Sequence, residues 1–185
     1  MKKLFARLVF FIFGWTMKVP DPKTLVPSVM IAAPHTSNWD FIFSIGAFWQ
    51  MGIPLRYFIK DAYTRSIAGF FFRWSGAIGV DRSKRGSGLT DYAIELLKAH
   101  DKLVILVPAE GTRKKVEKWR TGFYRIAVEA GVPISLGYLD YAKKEAGVLT
   151  AFQPSGDTEK DMQFIQEQYA RIHPKHPELY NKQIY

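Results

Sequence analysis

The chain contains no cysteine. That excludes a disulfide framework, a thiolate nucleophile and any cysteine-ligated metal or cluster. It leaves the redox compartment open, because a cysteine-free chain tolerates either state. No Gly-x-Ser-x-Gly segment occurs, so the nucleophile elbow of an α/β hydrolase is missing. No apolar run approaches the ~20 residues needed to cross a bilayer. Acidic residues are outnumbered: 17 Asp and Glu stand against 26 Lys and Arg, for a formal charge of +9. Such an excess attracts something anionic, whether nucleic acid, acidic headgroups or phosphorylated metabolites.

With 185 residues, 48% hydrophobic and 15% aromatic, the chain is long enough for one well-buried core and marginal for two. Its 14 Phe, 9 Tyr and 5 Trp accompany the positive charge, a combination suited to a membrane interface or to single-stranded nucleic acid. No nucleic-acid module signature is present, so no nucleic-acid partner is expected. Lys2 and Lys3 lead into an apolar stretch from Leu4 to Trp15, with no small-x-small cleavage site after it. Residues 2–17 are expected to form a helix in the membrane interface, with Lys2, Lys3 and Arg7 toward the headgroups. The implied location is peripheral, on the cytoplasmic face of a membrane, against its anionic surface.

Beyond a Pro-rich link at 18–28, strand-length apolar runs alternate with helical stretches. Strands are expected at 29–33, 55–59, 77–80, 102–107, 134–141 and 148–152. Helices are expected at 40–51, 61–74, 89–100, 123–130 and 158–172. Residues 102–107 suit the middle of a parallel sheet. The expected fold is α/β: one domain with a mostly parallel central sheet flanked by helices, preceded by a short N-terminal amphipathic helix. The division is 1–20 for the helix and link and 21–185 for the domain. Ligands of such sheets gather at the carboxyl ends of strands.

That rule draws attention to His35-Thr36-Ser37-Asn38-Trp39-Asp40, directly after the run at 29–33. On one continuous helix, five residues turn by roughly 140°, and the histidine and the carboxylate would diverge. Thr36-Ser37-Asn38 is instead helix-start chemistry. A strand, a tight turn and a new helix would let Asp40 fold back onto His35, fixing the imidazole tautomer and leaving the other nitrogen free to take a proton. Two more loops share the rim. One carries Asp81 and Arg82, the other Glu110-Gly111-Thr112-Arg113 followed by Lys114, Lys115, Lys118 and Arg120. Gly111 permits a tight turn, Thr112 offers a hydroxyl, and Arg113 a planar fork of donors suited to phosphate. Glu110 suits orienting Arg113 or accepting from a hydroxyl. The histidines of the Pro-rich tail, His173 and His176, have no convincing carboxylate partner for a metal, and that tail is expected to be solvated.

Four blocks, His35-x4-Asp40, Gly79-Val80-Asp81-Arg82, Glu110-Gly111-Thr112-Arg113 and Val132-Pro133-Ile134, stand in the order and approximate spacing of those of the glycerolipid acyltransferases. The chain resembles that family over roughly residues 28–140. The resemblance implies a general base at His35, oriented by Asp40. It implies an acceptor-phosphate site from Arg82 and Arg113, shaped by Glu110, Gly111 and Thr112. Acyl-CoA or acyl carrier protein would be the co-substrate and a membrane lysophospholipid, most simply 1-acyl-glycerol-3-phosphate, the acceptor. No cofactor, metal or covalent acyl-enzyme is called for. The chain departs from the pattern at Ala109, where the family usually has proline, and in its single brief N-terminal helix. A non-phosphate acceptor such as an aminolipid precursor is the alternative within the family. A non-catalytic protein binding anionic lipid or nucleic acid is the alternative outside it.

Overall fold

A computed structural model describes residues 1–81 and 88–185. Helix α1 (Lys2–Phe13) is followed by strand β1 (Thr16–Lys18), a 3₁₀ turn (Pro22–Leu25) and β2 (Ser28–Ala32). Next come α2 (Trp39–Met51), β3 (Leu55–Lys60), α3 (Asp61–Arg65), α4 (Gly69–Ser75) and β4 (Ala77–Val80). The second half comprises α5 (Leu89–Lys98), β5 (Val104–Val107), α6 (Gly122–Ala130), β6 (Ile134–Asp140), β7 (Glu145–Phe152) and α7 (Thr158–Tyr169).

The seven strands form one sheet in the order β1-β7-β6-β2-β5-β3-β4. All neighbours are parallel except β6 and β7, which form an antiparallel hairpin. The sheet is therefore mostly parallel, as the strand–helix alternation requires. Strand β2 lies at its centre, with Val29–Ile31 paired to both β5 and β6. Its side chains alternate between two apolar layers. Val29 and Ile31 join Ile105, Ile134 and Leu136 beneath α5, α6 and α7. Met30 packs with Val104, Leu55 and Tyr57 against Ile45 and Phe48 of α2. Burial on both faces explains why these strands read as unbroken apolar runs.

Apart from end shifts of two or three residues in α5, β5, β7 and α7, three regions differ from the sequence reading. Helix α1 stops at Phe13, not at 17, because Gly14 adopts a left-handed φ of 69° and its N–H returns to Phe10 and Phe11 carbonyls. The freed residues 16–18 become an edge strand on β7. The helix expected at 61–74 is two. Thr64 bonds its hydroxyl back to the Asp61 carbonyl at 2.8 Å and to the Asp61 carboxylate at 3.0 Å, and the Arg73 guanidinium takes the Thr64 carbonyl. These local bonds compete with the helical ladder. The tail beyond α7 is packed rather than solvated. Ile172, Tyr180 and Ile184 are buried in the main core, and the Ile184 carbonyl accepts the Trp119 N–H at 2.8 Å.

Candidate active site

The connection from β2 to α2 builds the centre of the site. After Ala32 the chain turns, and the first turn of α2 brings Asp40 back under His35. Asp40 Oδ2 lies 3.2 Å from His35 Nδ1 and accepts the backbone N–H groups of Thr36 and Ser37, each at 2.8 Å. The Ser37 hydroxyl accepts the Trp39 N–H at 3.2 Å, giving a partner to an N–H of the first turn that has none within the helix. Asp40 is 4% exposed. Its other oxygen accepts the Tyr141 hydroxyl at 2.6 Å. Three donors around one carboxyl group, two backbone amides and the Tyr141 hydroxyl, match its ionised, acceptor-only form. Opposite an acceptor-only carboxylate, Nδ1 carries the hydrogen and Nε2 keeps its lone pair, on a ring that lines the adjoining cavity.

Glu110 approaches from the loop after β5. It is 2% exposed, and Oε1 accepts the His35 backbone N–H at 2.9 Å. The carboxyl group thus stands behind the histidine instead of on the cavity wall. Burial pushes its pKa up from 4.5 to about 7, the His35 N–H opposes the shift, and the Asp40 charge adds to it. Gly111 needs to be glycine on two counts. Its φ is 69°, and a Cβ there would meet the Arg120 Nε at 2.9 Å. The Thr112 hydroxyl accepts the Lys114 N–H at 3.2 Å, and Arg113 donates to the Asn38 side-chain carbonyl at the start of α2. Ala109, the departure from the family pattern, is buried, and its carbonyl accepts the Arg120 N–H at 3.0 Å.

A cavity of about 980 Å³ opens beside these groups. His35, Thr112 and Arg113 supply polar groups to its lining, with Lys60 from the end of β3. Ile45 and Phe48 of α2, Tyr57 of β3, and Phe71 and Phe72 of α4 form an apolar wall. The volume lies at the upper end of the range for small-ligand clefts. Arg82 falls outside the described residues. The structure thus brings His35, Asp40, Glu110, Gly111, Thr112 and Arg113 together, from the ends of two adjacent parallel strands.

This architecture and the sequence blocks agree with the comparisons. The family model described as Acyltransferase matches residues 18–135. The chain belongs to the acyltransferase family. Among solved structures, the fold is similar to the 1-acyl-sn-glycerophosphate (LPA) acyltransferase PlsC from Thermotoga maritima. The TM-score is 0.60 at 17% identity, covering 92% of this chain and 76% of the other. No curated protein sequence matches.

In this acyltransferase the tail crosses the rim of the site. The His176 N–H donates to the Thr36 hydroxyl at 3.2 Å, and the Lys175 ammonium lies 5.1 Å from the centre of the Trp39 ring. Leu179 reaches the cavity, and Tyr180 lies close enough to Glu110 to feel its charge. Sequence reading missed Tyr141 as well as this strap. Neither follows a local motif, and only the hairpin and the chain's return over the rim deliver them.

The buried Glu110 sets a pH dependence of stability. The unfolded chain loses this proton near pH 4.5, and the native acyltransferase holds it to about pH 7. Between those values the native state binds more protons, so stability falls as pH rises, by roughly 3 kcal/mol in all. Glu110→Gln keeps an acceptor for the His35 N–H and removes the titration. Urea unfolding should show the variant gaining on the wild type by that order between pH 4.5 and pH 8. An equal gap at both pH values would refute the burial argument.

Proposed function

We propose that this acyltransferase moves a fatty acyl group from a thioester donor, acyl-CoA or acyl carrier protein, to a hydroxyl of a lysophospholipid. The preferred acceptor is 1-acyl-glycerol-3-phosphate. One observation carries the reading. A histidine backed by a buried carboxylate opens onto a cavity whose lining includes both a set of apolar and aromatic side chains and Arg113.

His35 Nε2 takes the acceptor's hydroxyl proton as that oxygen attacks the thioester carbonyl. The tetrahedral adduct collapses, the C–S bond breaks, and the proton passes from the imidazolium to the departing thiolate. Products are the ester and the free thiol. Asp40 stabilises the imidazolium between the two transfers. Arg113, joined by Arg82, holds the phosphate through charge-assisted hydrogen bonds. The acyl chain lies along Phe48, Tyr57, Phe71 and Phe72. The similarity in fold to an LPA acyltransferase supports a lysophospholipid as acceptor.

The acceptor reaches the site from a membrane. Leu4, Phe5, Leu8, Phe11 and Ile12 of α1 and Phe70 and Trp74 of α4 are exposed, and the two helices adjoin where Lys2 donates to the Trp74 carbonyl at 2.7 Å. Lys3 and Arg7 stand on the same short helix. No helix among the described residues is long and apolar enough to span. A basic, apolar helix of this kind lies in the interface and favours an anionic leaflet. We assign it to the cytoplasmic face, as a peripheral protein.

A single assay tests both parts. Protein is mixed with phosphatidylglycerol vesicles carrying lysophosphatidic acid, a phosphate-free monoacyl aminolipid and a labelled acyl thioester. The pellet is scored for protein and the lipid for label. Label in phosphatidic acid with the protein pelleted is the expected result. Arg113→Ala should raise KM for lysophosphatidic acid about tenfold while kcat holds. Protein left in the supernatant would sink the membrane assignment. Label appearing only on an acceptor without phosphate would transfer the reading to the aminolipid class.

A further inference from the structure

Asp40 does not depend on its own loop alone. Oδ2 is held by the Thr36 and Ser37 amides, and Oδ1 accepts the Tyr141 hydroxyl at 2.6 Å, across 101 positions of sequence. Tyr141 sits in the turn between β6 and β7, on the far side of the pair from the Arg113 loop. Its own position is strongly determined. The Trp15 ring meets it edge-on at 5.0 Å and Phe43 at 6.3 Å. Its N–H donates to the His173 carbonyl at 2.9 Å. The preceding Asp140, wholly buried, ties the turn by accepting the Ala142 and Lys143 N–H groups at 3.0 and 3.1 Å.

We propose that Tyr141 is a positioning residue that sets the orientation and the basicity of the His35–Asp40 pair, a claim that deepens the acyl-transfer reading and rests on it. The hydroxyl fixes the plane of the carboxyl group, so that Oδ2 stays aimed at Nδ1. It also draws negative charge toward Oδ1, which weakens the pull of Asp40 on the imidazolium. Burial, and then the bond to Asp40 and its charge, raise the pKa of the phenol, which therefore remains a donor throughout. Trp15 ends the α1 connection, so the same ring stack ties the N-terminal helix to the acid of the pair.

The test is Tyr141→Phe, which keeps the ring packing and removes one oxygen. The midpoint of His35 is read by NMR titration of its imidazole, assigned with His35→Gln, without reference to activity. Loss of the hydroxyl leaves Asp40 a stronger partner for the imidazolium. The midpoint should rise by about half a pH unit, and the acid limb of kcat/KM should move the same way. At neutral pH, kcat should fall about tenfold with KM within about twofold, the mark of a group acting on the transition state. Other charged and titratable groups near the pair are Glu110 behind His35, Lys60, Arg113 and Lys114 on the cavity wall, His176 beside Thr36, and Asp140 with His173 behind the turn. The substitution leaves all of them in place. An unmoved midpoint in a variant with native near-ultraviolet circular dichroism overturns the proposal, whatever its thermal stability. Should the phenylalanine variant unfold, Trp15→Leu keeps the hydroxyl but loosens the ring, and must raise the midpoint by a smaller amount. A raised midpoint in a protein whose wild type transfers no acyl group would leave the positioning intact and refute the reaction.

Discussion

His35→Ala should lower kcat for acyl transfer by about a thousandfold, within the range that a positioned general base contributes. The substitution removes the imidazole and little else. Backbone at residue 35 still donates to Glu110, and the two amides still hold Asp40. Binding of either substrate does not require Nε2, so KM should stay within a few-fold. Loss of kcat at constant KM is the signature of an interaction made only in the transition state. Product formation from labelled thioester and lysophosphatidic acid, measured as initial rates over a range of acceptor, checks this. Turnover equal to wild type would end the role assigned to His35, and with it the mechanism.

Asp40→Asn should cost about a hundredfold in kcat, less than tautomer loss costs in a serine-protease triad. The difference follows from the donors around this carboxylate. An asparagine must direct its carbonyl oxygen at the Thr36 and Ser37 N–H groups, because its NH₂ cannot accept from them. That oxygen occupies the place of Oδ2 and still faces His35 Nδ1, so the productive tautomer survives. The NH₂ then donates to Tyr141, whose oxygen accepts. Geometry is preserved and only the charge disappears. The imidazolium loses its counter-ion, so the His35 midpoint should fall, opposite in direction to the rise expected for Tyr141→Phe. Titration of both variants beside the wild type distinguishes loss of charge from loss of a donor. A rise in the Asn variant, or unchanged turnover, would contradict the role of Asp40.

Much of the fold was legible because its signals are local. Residues 29–33 were expected as a strand, and β2 spans Ser28–Ala32. Residues 40–51 were expected as a helix, and α2 spans Trp39–Met51. Apolar continuity, turn residues and helix-start chemistry lie within a few positions of each other. The close approach of His35 and Asp40 was legible for the same reason, since it needs only a strand, a turn and a first helical turn. Errors arose where a distant group outcompeted local preference. Arg73 captures the Thr64 carbonyl and helps split one expected helix into α3 and α4. The proline-rich tail has the composition of a solvated segment, yet Tyr180 and Ile184 are buried in a core built from the rest of the chain.

Glu110 and Tyr141 mark the boundary most clearly. Within its polar, basic segment Glu110 has every local reason to face water or a ligand. It turns inward because β5 lies beside β2, which places its loop under the His35 N–H and gives a buried carboxylate a donor. Tyr141 reads locally as the last residue of a strand, and only the β6–β7 hairpin aims its hydroxyl at Asp40. Sequence alone determined the alternation of strands and helices, the pair at 35 and 40, and the basic loop after β5. Each depends on residues close together along the chain. The partners of that pair were decided by strand order, a non-local property that sets which loops meet and which polar groups lose water.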